Sequence, residues 1–148
     1  NSSIPKTLVK HLVSYVALNS KPKLKSVLSD ILATPVSPEL LPGPQPTEGV
    51  LGSYEVHDFY LYYVLRFGYA PSKIYRMAKY AFAGTYDDET ILKWLKKFYW
   101  RFFSQQFKRS TLPDGPKVTE ISLSPRGDLR MPSDVSYSVW LKEVEELD

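Results

Sequence analysis

Lys6, Ser37, Gln45, Thr47, Glu48, Lys108 and Arg109 are the side chains best suited to chemistry in this 148-residue sequence, and that chemistry is the holding of a polyanion by parts. Ammonium and guanidinium groups neutralise phosphate oxygens, hydroxyls and amides hydrogen-bond them, and a carboxylate can recruit Mg²⁺. The types fit a nucleotide, but they run from position 6 to position 109, so only a fold can bring them together. Nothing else in the sequence supports catalysis unaided. There is no cysteine, which excludes a thiol nucleophile, a thiolate zinc site and a disulfide framework. His11 and His57 lie far apart, so a histidine-built metal site is not expected. His57 precedes Asp58, yet neighbours on a helix point about 100° apart and form no dyad. Neither G-x-x-x-x-G-K-[ST] nor G-x-G-x-x-G occurs. Arg126-Gly127-Asp128 spells an adhesion tripeptide, but its Pro and Gly neighbours read first as turn chemistry.

The elements that must position these groups are bounded by composition. With 43% hydrophobic and 24% charged residues, the chain reads as one globular domain or a piece of one. The net charge is +3 and the pI about 9.0, which permits an anionic partner without demanding one. No apolar run approaches the ~20 residues of a membrane span. The opening NSSIPKTLVK has no apolar core before a small-residue cleavage site, which argues against a signal peptide. KKFYWRFFSQQFKR mixes cations with rings as single-strand binders do. Its rings recur at helical spacing, however, so they are expected to face a core, and no nucleic-acid partner is expected.

The spacing predicts a mainly α chain with at most short strands. Ser3 is the expected N-cap of a first helix, with Leu8, Leu12, Tyr15 and Val16 along one stripe and Asn19, Ser20 and Pro22 ending it. A second helix over 23–33 turns Leu24, Val27, Leu28 and Ile31 inward. Residues 35–53, with five prolines and three glycines, cannot stay helical and read as a functional lid, a disordered segment or a solvated linker. Ser53 caps a helix that Gly68 stops, Pro71 opens a short one that Gly84 closes, and Thr85 or Asp87 caps a long one reaching about Phe107. On that long helix Asp87, Asp88 and Glu89 lead and Lys93, Lys96, Lys97 and Arg101 follow, the order a helix dipole favours. Its rings cover more than one face, so it should be buried on two sides. Val118–Leu123 alternates like a strand, and a last helix over 136–147 packs Val139, Trp140 and Val144.

Several of these stretches resemble a known family. RFFSQQFKRSTLPDGPKV (Arg101–Val118) and LSPRGDLRMPSD (Leu123–Asp134) are similar to the C-terminal part of the ligase domain of glutamine-dependent NAD⁺ synthases. SIPKTLVKHLV, TPVSPELLP and TEGVLGSYEVHDFYLYYVLRFGYAPSKI resemble earlier segments of that domain, in order. The resemblance implies a helical portion of a Rossmann-like α/β adenine-nucleotide ligase domain. Residues 1–34 would be helices on the ATP side, 35–53 the lid loop, 54–112 helical, and 113–148 a tail with the last helix. It implies a parent enzyme that adenylates deamido-NAD⁺ with ATP and lets ammonia from glutamine displace AMP, in the cytoplasm and as a homo-oligomer. It implies ATP contacts for Lys6 and Ser37 and a deamido-NAD⁺ contact for Lys108, with Phe107 where shorter members carry His. Thr47 and Glu48 would be the loop pair that closes over substrate, and Glu48 is the one candidate metal contact. ATP and Mg would serve the parent, and none is expected bound to this chain by itself. The sequence departs from the family in having no S-G-G-x-D-S pyrophosphate loop and no glutaminase domain, so this chain alone is expected to be inactive. The alternative reading is a non-catalytic helical interaction module with a basic face.

Overall fold

Prolines and one aspartate set where four of the described helices begin. The computed structural model describes residues 2–34 and 51–147. Among these, seven helices and no strand are present: α1 (Lys6–Leu18), α2 (Pro22–Ala33), α3 (Tyr54–Phe67), α4 (Pro71–Ala81), α5 (Asp88–Ser104), α6 (Gln106–Ser110) and α7 (Ser138–Glu145). The chain is thus mainly α, as its periodicity implied. Pro22 and Pro71 each occupy the first turn of a helix, where the missing N–H costs nothing. Pro22 therefore opens α2 as well as marking the end of α1. No helix is long and apolar enough to cross a membrane among the described residues.

Two compact units divide the chain, residues 5–54 forming one and residues 1–4 with 55–148 the other. In the first, α1 packs on α2. Only Ala17 is buried in this hairpin. Leu8, Leu12, Tyr15 and Val16 do share a stripe, but all four are exposed, and so are Leu24, Val27 and Ile31 of α2. The inward face predicted for both helices is apolar yet uncovered within the hairpin.

The second unit holds the core. Asp87 is the N-cap of α5, its carboxylate accepting from the Thr90 N–H at 2.7 Å. That bond satisfies one of the orphan donors at the helix start and holds the Asp87 carboxyl below its usual range. Asp88 and Glu89 sit in the first turn and Arg101 in the last, so the helix dipole is matched at both ends. Ile91, Leu92, Leu95, Phe98, Tyr99, Phe102 and Phe103 are all buried, which is the two-sided burial the sequence implies. α4 brings Ile74 and Ala78, α7 brings Val144, and α3 brings Val56 and Tyr60 to the same core. The Tyr60 hydroxyl donates to the Ile91 carbonyl at 2.8 Å, and burial raises its pKa. Gly68 stops α3 in the left-handed region at φ 61°, its N–H bonded to the Val64 carbonyl at 3.0 Å. Around that stop, Phe59, Tyr63, Phe67 and Tyr69 form a ladder of rings with centroids 4.6, 5.8 and 5.1 Å apart in turn. The Lys73 ammonium covers the last ring at 3.3 Å.

Four local expectations need correction. Ser3 does not cap α1, whose N-cap is Pro5 without a side-chain bond. Its hydroxyl instead accepts from the Val118 N–H at 3.0 Å, a long-range bond that outcompetes the local one. Val118–Leu123 is not a strand, because no neighbouring strand offers a ladder. Its polar groups bond to residues 2 and 3 and to Asp128 instead. The long helix ends at Ser104, three residues earlier than expected, and α6 follows a break at Gln105. In α7, Val144 is buried and Trp140 stacks on Phe103 at 4.4 Å, but Val139 points to solvent.

Candidate functional site

Lys108 lies on α6, a helix of only five residues. A helix this short does not hold itself together, so its neighbours must fix it. Gln106, Arg109 and Ser110 follow one another at helical spacing of three and four and make the anchoring face. Gln106 is fully buried, and its amide donates to the Met131 carbonyl at 3.1 Å. Its side-chain oxygen accepts from Arg109 Nε at 2.7 Å. Arg109 Nη2 donates to the Phe102 carbonyl in the last turn of α5, and its guanidinium lies over the Phe102 ring at 4.7 Å. Burial lowers the Arg109 pKa, although the group keeps its charge. Ser110 Oγ bonds to the Gln106 carbonyl at 3.2 Å and shares a hydrogen bond with Ser133 Oγ at 3.0 Å.

The opposite side of α6 carries Phe107 and Lys108, both exposed. The Lys108 ammonium is 5.9 Å from the centroid of the Phe107 ring. An exposed cation on a helix pinned from behind can meet an anion from solvent without moving its backbone. The sequence pointed to Lys108 but missed Gln106. No local signal marks Gln106: its burial, and with it the amide's need for partners, shows only in the fold.

Lys6 belongs to the other unit. It is exposed at the first position of α1, a helix end with no acidic residue in its first turn. Its ammonium lies 5.3 Å from the Tyr54 ring centroid, within that same unit. A positive helix end and a lysine together favour an anion there. Ser37, Thr47 and Glu48, with residues 35–50 of the loop expected over 35–53, lie outside the described residues. Among the described residues no three His, Asp or Glu side chains group as a cation site.

The LSPRGD stretch is a fastening. Asp128 accepts from the Ser122 N–H and from Lys117 Nζ, both at 2.8 Å, and the lysine first holds its carboxyl below the usual range. Gly127 closes a turn onto the Ser124 carbonyl at 3.1 Å. Arg126 bonds to Asp114 and to the Leu112 carbonyl. The tripeptide therefore spends both its charges inside the chain, tying the tail to the segment that leaves α6. His57 packs edge-on to Tyr60 at 6.1 Å and beside Phe98 at 6.2 Å, the position of a boundary histidine.

No family model matches the chain. A glutamine-dependent NAD(+) synthetase of Mycobacterium leprae is 40% identical over 170 aligned positions, covering 98% of this chain and 25% of that protein. The synthetase of the same name from Mycobacterium tuberculosis is 38% identical over 169 positions, again 98% of this chain and 25% of that protein. Both relatives are, by name, synthetases that use glutamine. The chain is a homologue of one region of the glutamine-dependent NAD⁺ synthases, and it spans about a quarter of the length of the curated relatives it matches.

Proposed function

We propose that this chain is the C-terminal part of the ligase domain of an enzyme that converts deamido-NAD⁺, ATP and glutamine-derived ammonia to NAD⁺, AMP and pyrophosphate. The observation that carries this reading is identity of 38–40% across 98% of the chain, joined to an exposed lysine on a pinned helix. In this reading Lys108 meets deamido-NAD⁺, while Lys6 and Ser37 meet ATP. Thr47 and Glu48 close over the substrates and exclude water, which would otherwise hydrolyse the adenylate before ammonia arrives. Magnesium, when bound with ATP, would neutralise phosphate charge, and Glu48 is the residue of this chain that could touch it. The parent enzyme works in the cytoplasm as a homo-oligomer.

Two experiments test the proposal. The purified chain, given ATP, deamido-NAD⁺ and ammonia, makes no NAD⁺, because no pyrophosphate-binding loop lies in its sequence. Turnover by the chain alone would overturn the reading. In the full-length enzyme, Lys108→Ala lowers ammonia-driven synthesis by about 2–4 kcal/mol of barrier, the usual loss for one contact to developing charge. Glutamine hydrolysis stays at its wild-type rate. Unchanged synthesis would make Lys108 an ordinary surface lysine.

A further inference from the structure

We infer that Arg109 is a positioning residue for Lys108: its guanidinium, bridging the Phe102 carbonyl of α5 and the Gln106 amide of α6, fixes the direction in which the lysine points. The inference rests on the role proposed for Lys108 and deepens it. The break at Gln105 leaves the carbonyls of the last turn of α5 in need of donors. The cap accounts for two of them, the Gln105 N–H being placed against Arg101 and Phe103. Arg109 supplies the donor for Phe102 from seven residues further on, across the break.

The same planar group reaches Gln106 with a second N–H. A fork with two fixed donors sets an angle as well as a distance, which a single ammonium cannot do. Gln106 in turn holds Met131, so the turn from α5 into α6 is locked to the tail by a chain of polar contacts, Phe102 to Arg109 to Gln106 to Met131. Gln106 is fully buried, where an unpaired amide would be costly. Lys108, on the far side of the same short helix, moves with whatever moves Arg109. Both acceptors of the guanidinium are neutral, so its charge is not absorbed by a carboxylate among the bonds it makes. It therefore adds positive potential behind Lys108 as well as rigidity.

The experiment has a kinetic arm and a spectroscopic arm. In the full-length synthase, Arg109→Met lowers kcat/KM for deamido-NAD⁺ about tenfold or more, the scale of a lost charge-assisted hydrogen bond. The KM for ATP and the rate of glutamine hydrolysis stay within about twofold of wild type. In a Lys108→Ala background the same substitution changes kcat/KM by less than about twofold, because an effect exerted through Lys108 vanishes with it. Effects that multiply, or a wild-type kcat/KM for Arg109→Met beside an impaired Lys108→Ala, would overturn the inference. If Lys108→Ala is itself at wild-type rate, the functional assignment of Lys108 fails, and the second arm then decides the positioning alone.

That arm uses the absence of cysteine from this chain. A nitroxide on Lys108→Cys reports only that position. Its spectrum shows restricted motion on the nanosecond scale, and Arg109→Met speeds that motion about twofold or more. Identical spectra with and without the guanidinium would overturn the inference. If Arg109→Met does not fold, Arg109→Gln keeps one amide donor and is read in the same way, with circular dichroism as the check on helix content.

Discussion

The α1–α2 hairpin and the unit built on α5 are both helical and both amphipathic, yet only one of them keeps its apolar face dry. Leu95 of α5 is 0% exposed, whereas Leu12 of α1, at an equivalent place on its stripe, is 47% exposed. Helix propensity does not separate them. Partners do: α5 meets α4, α6 and α7, while within its own unit α1 meets α2. A periodic stripe therefore states which side of a helix is fit for burial, and only the presence of other elements decides whether burial follows. The hairpin draws little stability from a core of its own, and the larger unit draws most of its stability from one.

The contrast can be broken or sharpened by substitution. Leu95→Ala removes a fully buried side chain and costs about 2–5 kcal/mol, against less than about 1 kcal/mol for Leu12→Ala. Urea unfolding of the chain measures both. Equal costs would mean that the face of α1 is covered after all. Within the larger unit, two buried tyrosines differ in their hydroxyls. Tyr60 donates to Ile91, whereas the buried Tyr99 hydroxyl has no hydrogen-bond partner among the described residues, and its pKa is raised by burial and then by Glu143. Tyr60→Phe costs about 1–2 kcal/mol, while Tyr99→Phe is neutral or stabilising. A loss on Tyr99→Phe as large as on Tyr60→Phe would show a bond to that hydroxyl.

Gly68→Ala, at φ 61° with open space where a Cβ would go, costs about 1 kcal/mol from backbone conformation alone. The smallest effect concerns pH. The Asp87 carboxyl is held low in the folded chain by the Thr90 N–H, so its contribution is complete above the unfolded value near pH 4 and fades as pH falls through the lower folded value. Asp87→Asn, which still caps, keeps the midpoint at neutral pH and flattens this part of the acid limb. An unaltered acid limb would remove Asp87 from the account.

Much of the larger unit was legible because its signals are local. Pro71, Asp87 and Gly68 act on their own turns, and the ring spacing of α5 states its two-sided burial. What escaped depends on distant partners. Nothing near Ser104 announces a helix end, because the break is stabilised by an amide reaching Met131. Ser3 looks like a cap until Val118 is seen to donate to its hydroxyl. Val118–Leu123 alternates correctly, but alternation cannot supply a second strand. Of the site, the exposure of Lys108 follows from its place opposite Gln106, Arg109 and Ser110. That these three form an anchored face could be read only from the fold.

The junction of Ser2 and Ser3 with the tail has a kinetic consequence. Ser2 Oγ meets Ser122 Oγ at 2.9 Å, and Leu123 donates its N–H to the Ser2 carbonyl at 2.8 Å, across more than a hundred intervening residues. Bringing such distant positions together carries a loop-closure cost that contacts within α4 and α5 do not bear. The ring core can therefore gather first, from neighbours close in sequence, and the seam joining Ser2 and Ser3 to residues 118–123 closes late.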